Sequence, residues 1–421
     1  MGYSVGAKAL SVVLSLVSVP MALNYLGKEG YGLWATVTSF VGFLVFADLG
    51  VGNGMMNAVT NANAQGDFHK IRSVIASGAF SVGAVAFVLL SAFCIAWPFV
   101  NWSDVLAVNE PDRAHESAIA LMALVIAFTL NMPASLIQKI QYGMQAGQWV
   151  SLSQGLSAVL NVLFIWFVIK FDFGLVGMVV CLIVASLTAD LTNAFVFLRS
   201  RPHLIPGTGN LSTTISCKLL RVGMGFLFLQ VSVALCYASD NLIVAHLLGH
   251  EKVAEYSVHQ RLFSPILFVA GLALTPLWPA FADATARRDK AWIKKTLLIV
   301  TAVMLIAGLV GAGAVAIFSD WLLSHWLHGN VGANHFLAIG LAVWVTIDLA
   351  GRTIAMFLNG AGLLKEQIIS VAIFVPLCIG LKLVLTKRYG LPGLVFGTAI
   401  AWTVVNVPAY AFILTRWARS P

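Results

Sequence analysis

The chain has 421 residues, of which 59% are hydrophobic and 10% charged. Soluble domains carry roughly 45–50% apolar and ~25% charged residues, so the composition excludes a water-soluble fold and points to lipid as the solvent. The net charge of +8 lies in short loops between apolar runs, which is the pattern of membrane topology signals and not of nucleic-acid binding.

A membrane-crossing helix needs about 20 apolar residues. Twelve such runs are predicted, at 4–26, 33–61, 71–100, 117–138, 148–170, 174–198, 218–247, 253–282, 294–320, 334–359, 364–386 and 391–416. The first begins almost at Met1 and contains Pro20; its length and the lack of a cleavage context predict a helix that is retained. The connections Phe171–Phe173 and Lys387–Gly390 are short enough to force hairpin neighbours. One alternate set of loops holds Lys70, Arg72, Lys139, Arg199 and most other basic loop residues, and the other set holds only Lys28, Arg113, Lys170, Lys252, Lys387 and Arg388. That bias predicts cytoplasmic N- and C-termini, with Trp97, Trp102, Trp321 and Trp326 at the outer interface and Trp149, Trp292 and Trp417 at the inner one.

An internal repeat accompanies the runs. Leu26-Gly27-Lys28-Glu29 matches Leu248-Gly249-His250-Glu251, and at the same shift Trp34 falls on Tyr256 and Asp67 on Asp289. Phe173-Gly174-Leu175-Val176-Gly177 resembles Tyr389-Gly390-Leu391-Pro392-Gly393 at a similar shift. The expected fold is therefore an all-α polytopic membrane protein. It has 12 transmembrane helices in two six-helix lobes, 1–205 and 206–421, related by a pseudo-two-fold axis along the membrane normal. Two such lobes suit alternating access.

Ionisable groups at membrane depth are costly and are functional candidates by default. They are Lys8, Asp48, Asp190, Asp240, Arg261, Asp348, Arg352 and Lys382. Asp48 opens Asp48-Leu49-Gly50-Val51-Gly52-Asn53-Gly54, whose alternating glycines predict either a broken helix beside a cleft or close helix packing with no solute role. Asn53, Asn57 and Asn61 follow as a polar stripe. Asp348 and Arg352 share one helix face and either neutralise each other or line the cleft. Arg261 is expected about 12 Å deep at 1.5 Å per residue, either snorkelling outward or facing the cleft. Lys382 is expected to snorkel. Asp48, Asp240 and Asp348 are the candidate ion-coupling carboxylates. Gln138, Gln141 and Gln145 form a polar helix face that suits interhelical glue. The pairs His246/His250 and His325/His328 lack a third ligand, and Cys94, Cys181, Cys217, Cys236 and Cys378 are scattered, so neither a metal site nor a cofactor is expected. No Asp-x-Asp pair, nucleophile elbow or long loop suggests an enzyme.

Tyr25-Leu26-Gly27-Lys28-Glu29-Gly30-Tyr31-Gly32-Leu33-Trp34, the Asp48–Gly54 segment and Pro276-Leu277-Trp278-Pro279-Ala280-Phe281 carry a resemblance. The chain resembles bacterial O-antigen and capsular polysaccharide flippases of the multidrug/oligosaccharidyl-lipid/polysaccharide exporter superfamily. The resemblance implies a multi-pass protein of the bacterial inner membrane that moves undecaprenyl-pyrophosphate-linked oligosaccharide to the outer leaflet, driven by H+ or Na+. Membrane lipids, a polysaccharide polymerase and chain-length proteins are the implied partners. Lys8, Arg261 and Arg352 are then the cations expected to meet phosphate, because Arg offers a planar fork and Lys a point charge. Asn53 and Asn57 are the expected polar contacts. The competing readings are a drug or small-solute antiporter of the same superfamily, a lipid II flippase, and a membrane polysaccharide polymerase.

Overall fold

The structure is a computed structural model and describes residues 2–44, 48–108, 110–274, 277–327 and 331–419. Among them there is no strand, and ten helices are long and apolar enough to cross a membrane. The chain divides into two compact units, Met1–Ala234 and Leu235–Pro421.

The first unit contains α1 (Gly2–Leu44), α2 (Val51–Ala64), α3 (Phe68–Ala96), the short α4 (Trp102–Leu106), α5 (Pro111–Gly143), α6 (Gly147–Phe171), α7 (Gly174–Arg199) and most of α8 (Thr213–Tyr237). Its buried core joins Val51, Met55 and Val59 of α2 to Ile71 and Val74 of α3, Leu136 and Ile140 of α5, and Leu219 of α8. The second unit continues through α9 (Asp240–Leu248), α10 (His250–Leu274), α11 (Leu277–Ala286), α12 (Lys290–Ile317), α13 (Ser319–Leu327), α14 (His335–Gly360), α15 (Leu364–Tyr389) and α16 (Leu391–Arg419).

The repeat is written in the backbone. Gly27 kinks α1 with φ 70° and ψ 177°, and Gly249 separates α9 from α10 with φ 87° and ψ 168°. Only glycine takes such angles without a Cβ penalty. Asp67 and Asp289 each cap the following helix, accepting the amides of Lys70 and Trp292 at 2.9 Å. Gly66 and Arg288, just before those caps, both have positive φ, as do Gly174 and Gly390.

The boundaries differ from the sequence expectation in three places. The run at 33–61 is not one helix: α1 ends at Leu44, Leu49 and Gly50 turn with φ 52° and 73°, and α2 starts at Val51. The run at 218–247 breaks between Tyr237 and Asp240. The runs at 4–26 and 33–61 are joined by the one-residue kink at Gly27 and not by a loop. The first break follows from close packing. A Cβ on Gly50 would lie 2.5 Å from the Gly223 carbonyl oxygen, so α2 and α8 approach backbone to backbone.

Candidate functional site

Beside the break before α2 lies a cavity of about 600 Å³ within the first unit, between α1, α2, α5, α6 and α7, with a polar stripe on otherwise apolar walls. Asp48, Asn53, Asn131, Ser135, Lys139, Ser157 and Ser186 supply its polar lining. Asp48 caps the helix start there: one carboxylate oxygen accepts the Gly50 amide at 2.8 Å, the other the Gly52 amide at 3.0 Å. These are orphan donors of a helix start, and the carboxylate also complements the positive end of α2. A Cβ on Gly52 would sit 2.7 Å from Asp48 Oδ2 and 3.3 Å from Lys139 Cε, so the glycine is what lets carboxylate and lysine stem close over the helix end.

Lys139 is one of the residues whose place the sequence alone does not give. Its position near the end of an apolar run predicts a loop cation, yet it lies inside α5 and donates to Asn53 Oδ1 at 3.0 Å. It was legible as part of a stripe, because Asn131, Ser135 and Lys139 recur every fourth residue and all three line the cavity. Asn131 Oδ1 is buried without a hydrogen-bond partner among the described residues. Asn57, one turn past Asn53, is exposed. The Lys8 side chain lies outside the described residues, as do Pro276 and His328. Behind the cavity, Gln138 and Ser153 donate to Asp190 Oδ1 at 2.7 and 3.0 Å, and Gln141 and Asn193 form a reciprocal amide pair at 2.8 and 3.0 Å. These amides tie α5, α6 and α7 together as interhelical glue.

A second polar cluster lies in the second unit, and it corrects the expectation that Lys382 snorkels. Lys382 is 0% exposed and sits well inside α15. Its ammonium donates to Asp240 Oδ1 at 2.6 Å and to the Cys236 carbonyl. That carbonyl belongs to the last turn of α8, where the break before Asp240 removes its intrahelical partner. Tyr256, at the repeat position of Trp34, donates to Asp240 Oδ2 at 2.8 Å. The sequence clue was a pair of opposite charges within two apolar runs, which the bilayer forces together. Asp348 and Arg352 form the pair their spacing predicts, at 2.7 Å, with the carboxylate side chain 17% exposed and the guanidinium side chain 47%. Arg261 is half-buried on α10 and has no ion-pair partner among the described residues.

A sequence profile described as "Polysaccharide biosynthesis protein" matches residues 1–285. The chain is 22% identical to a Yersinia pseudotuberculosis protein named for O-antigen export, over 95% of this chain and 91% of that one. It is 20% identical to a Salmonella typhi protein named for O-antigen transport, over 96% and 93%. Among solved structures, it superposes on an inward-facing multidrug resistance MATE family transporter of the MOP superfamily with a TM-score of 0.81 and 14% identity, covering 98% of this chain and 97% of that one. An outward-facing MATE structure gives a TM-score of 0.72 at 15% identity, covering 100% and 96%. These structural likenesses show that the chain shares the fold of those proteins.

Proposed function

The chain belongs to the polysaccharide biosynthesis protein family, and from that premise we propose that it is a flippase for lipid-linked oligosaccharide. The substrate is an undecaprenyl-pyrophosphate-linked glycan, carried from the cytoplasmic to the outer leaflet of the inner membrane by alternating access. The observation that carries this reading is the polar cavity of the first unit. Its amides and hydroxyls suit sugar hydroxyls, and Lys139 is a cation suited to a phosphate oxygen. Lys8, Arg261 and Arg352 complete the proposed cation set, with Asn53 and Asn57 as polar contacts. Asp48, Asp240 and Asp348 are the proposed carboxylates for coupling to H+ or Na+, the last two through opening of their ion pairs with Lys382 and Arg352. The polymerase and chain-length proteins of the same biosynthesis are the proposed partners, and both termini are proposed to be cytoplasmic.

The test is deletion of the gene in a polysaccharide-producing host, followed by extraction of lipid-linked intermediates. Cytoplasm-facing undecaprenyl-pyrophosphate oligosaccharide accumulates and surface polymer is lost if the proposal holds. Single repeat units still reaching the surface would assign a polymerase role instead. An unchanged lipid pool with altered drug resistance would assign a small-solute antiporter.

A further inference from the structure

The second unit also carries a groove with apolar walls. It has a volume of about 390 Å³ and lies between α12, α14 and α16. Leu297, Leu298, Ile354, Leu414 and Trp417 make its walls. Leu298 is 73% exposed, so the groove opens sideways from the helix bundle, where hydrocarbon chains lie in a membrane.

Its two ends are chemically different. At one end Lys294 lines the groove, and Lys290, one turn earlier on the same face of α12, holds its ammonium 5.7 Å from the Trp417 ring centroid. Lys294 has no carboxylate partner among the described residues. Further along the groove is Thr301, seven residues beyond Lys294 and about 10 Å deeper at 1.5 Å per residue. Its hydroxyl oxygen is buried with no hydrogen-bond partner among the described residues. An unpartnered buried hydroxyl is costly, and a ligand acceptor would relieve it.

We propose that this groove binds one anionic glycerophospholipid, with the phosphate on Lys290 and Lys294, an ester carbonyl accepting from Thr301, and an acyl chain against Leu297, Leu298 and Trp417. Charge complementarity selects the headgroup, since basic pockets between membrane helices at an interface hold anionic lipids. The apolar walls select a chain over a free phosphate, which would leave them bare. The site is independent of the glycan reading and can fail while export stands.

Trp417 provides the readout. The full-length protein is reconstituted in vesicles of phosphatidylcholine and phosphatidylglycerol in which one lipid carries brominated acyl chains. Quenching present in wild type and absent in Trp417→Phe isolates the groove. Brominated phosphatidylglycerol is expected to quench this component several-fold better than brominated phosphatidylcholine at equal mole fraction. The preference should fall on the order of fivefold for each lysine removed in Lys290→Gln and Lys294→Gln. Thr301→Val should weaken it further. Equal quenching by both lipids, or a preference that survives the double lysine variant, overturns the proposal. So does displacement of brominated phosphatidylglycerol by an equal amount of undecaprenyl phosphate, which would make the occupant a polyprenyl lipid. If Trp417→Phe does not fold, native mass spectrometry of wild type and the double lysine variant compares retained phosphatidylglycerol, and equal retention is the refuting result.

Discussion

Replacing Lys382 by Met removes the ammonium and keeps most of the stem volume. Asp240, whose side chain is only 9% exposed, then keeps a single side-chain donor, Tyr256, and the Cys236 carbonyl loses the lysine that compensates the α8 break. Breaking a buried pair by removing one partner costs about 3–5 kcal/mol, because the remaining charge stays buried and unpaired. Replacing both partners is far milder, since each charge also carries its own desolvation penalty. Lys382→Met/Asp240→Asn should therefore regain most of what Lys382→Met loses, leaving about 1 kcal/mol for the carbonyl hydrogen bond. The assay is a double-mutant cycle on thermal unfolding of the detergent-purified protein, followed by tryptophan fluorescence and checked by size-exclusion chromatography. A coupling of roughly 2 kcal/mol or more is expected, within the range seen for residues in direct contact. Strict additivity, or a single variant as stable as wild type, would refute the reasoning, because it would mean that the pair is hydrated.

Lys139→Gln should leave the protein folded but cut the surface polymer made by complemented deletion cells. A lost charge-assisted hydrogen bond costs about 1.5–3 kcal/mol, equivalent to roughly a 10- to 100-fold loss of substrate affinity. Lys139→Arg should restore part of it. Gly50→Ala should strongly reduce the yield of folded protein, since its Cβ would meet the Gly223 oxygen at 2.5 Å and φ is 73°. Gly313→Ala is the matched control on α12: nothing lies within 4 Å of its Cβ, and it should stabilise by up to about 1 kcal/mol in the same thermal assay. Asp67→Ala and Asp289→Ala, at equivalent caps, should each cost about 1 kcal/mol by thermal unfolding, and a much larger loss in one would show that the two caps are not equivalent.

The comparison of sequence with structure turns on how each property is encoded. The paired motifs around Gly27 and Gly249 and the matched Asp67 and Asp289 foretold the repeat, while the kinks and caps that these residues make are seen only in the structure. Each of these depends on a few neighbouring residues whose backbone preference is intrinsic. The glycines after Asp48 foretold a helix break or close packing, and the structure has both, with α2 restarting at Val51 where α8 packs against Gly50. The candidate site was less legible. Lys139 reads as a loop cation when charges are simply assigned to the ends of apolar runs, and only its partner on α2 shows that it turns into the cavity. Lys382 reads as a snorkelling residue for the same reason.

The sequence by itself determined that this chain lives in lipid, that it is helical and that it is built as a repeat. Composition and local backbone preference are additive along the chain and need no knowledge of neighbours in space. Tertiary structure alone decided which charges stand in a cavity and which are spent on each other. Asp48 closes a helix end, Asp240 is held by Lys382 from another helix, and Lys139 faces the polar lining. Those outcomes depend on which buried donor meets which acceptor across helices far apart in sequence, because a low-dielectric interior makes an unpaired polar group too costly to leave alone.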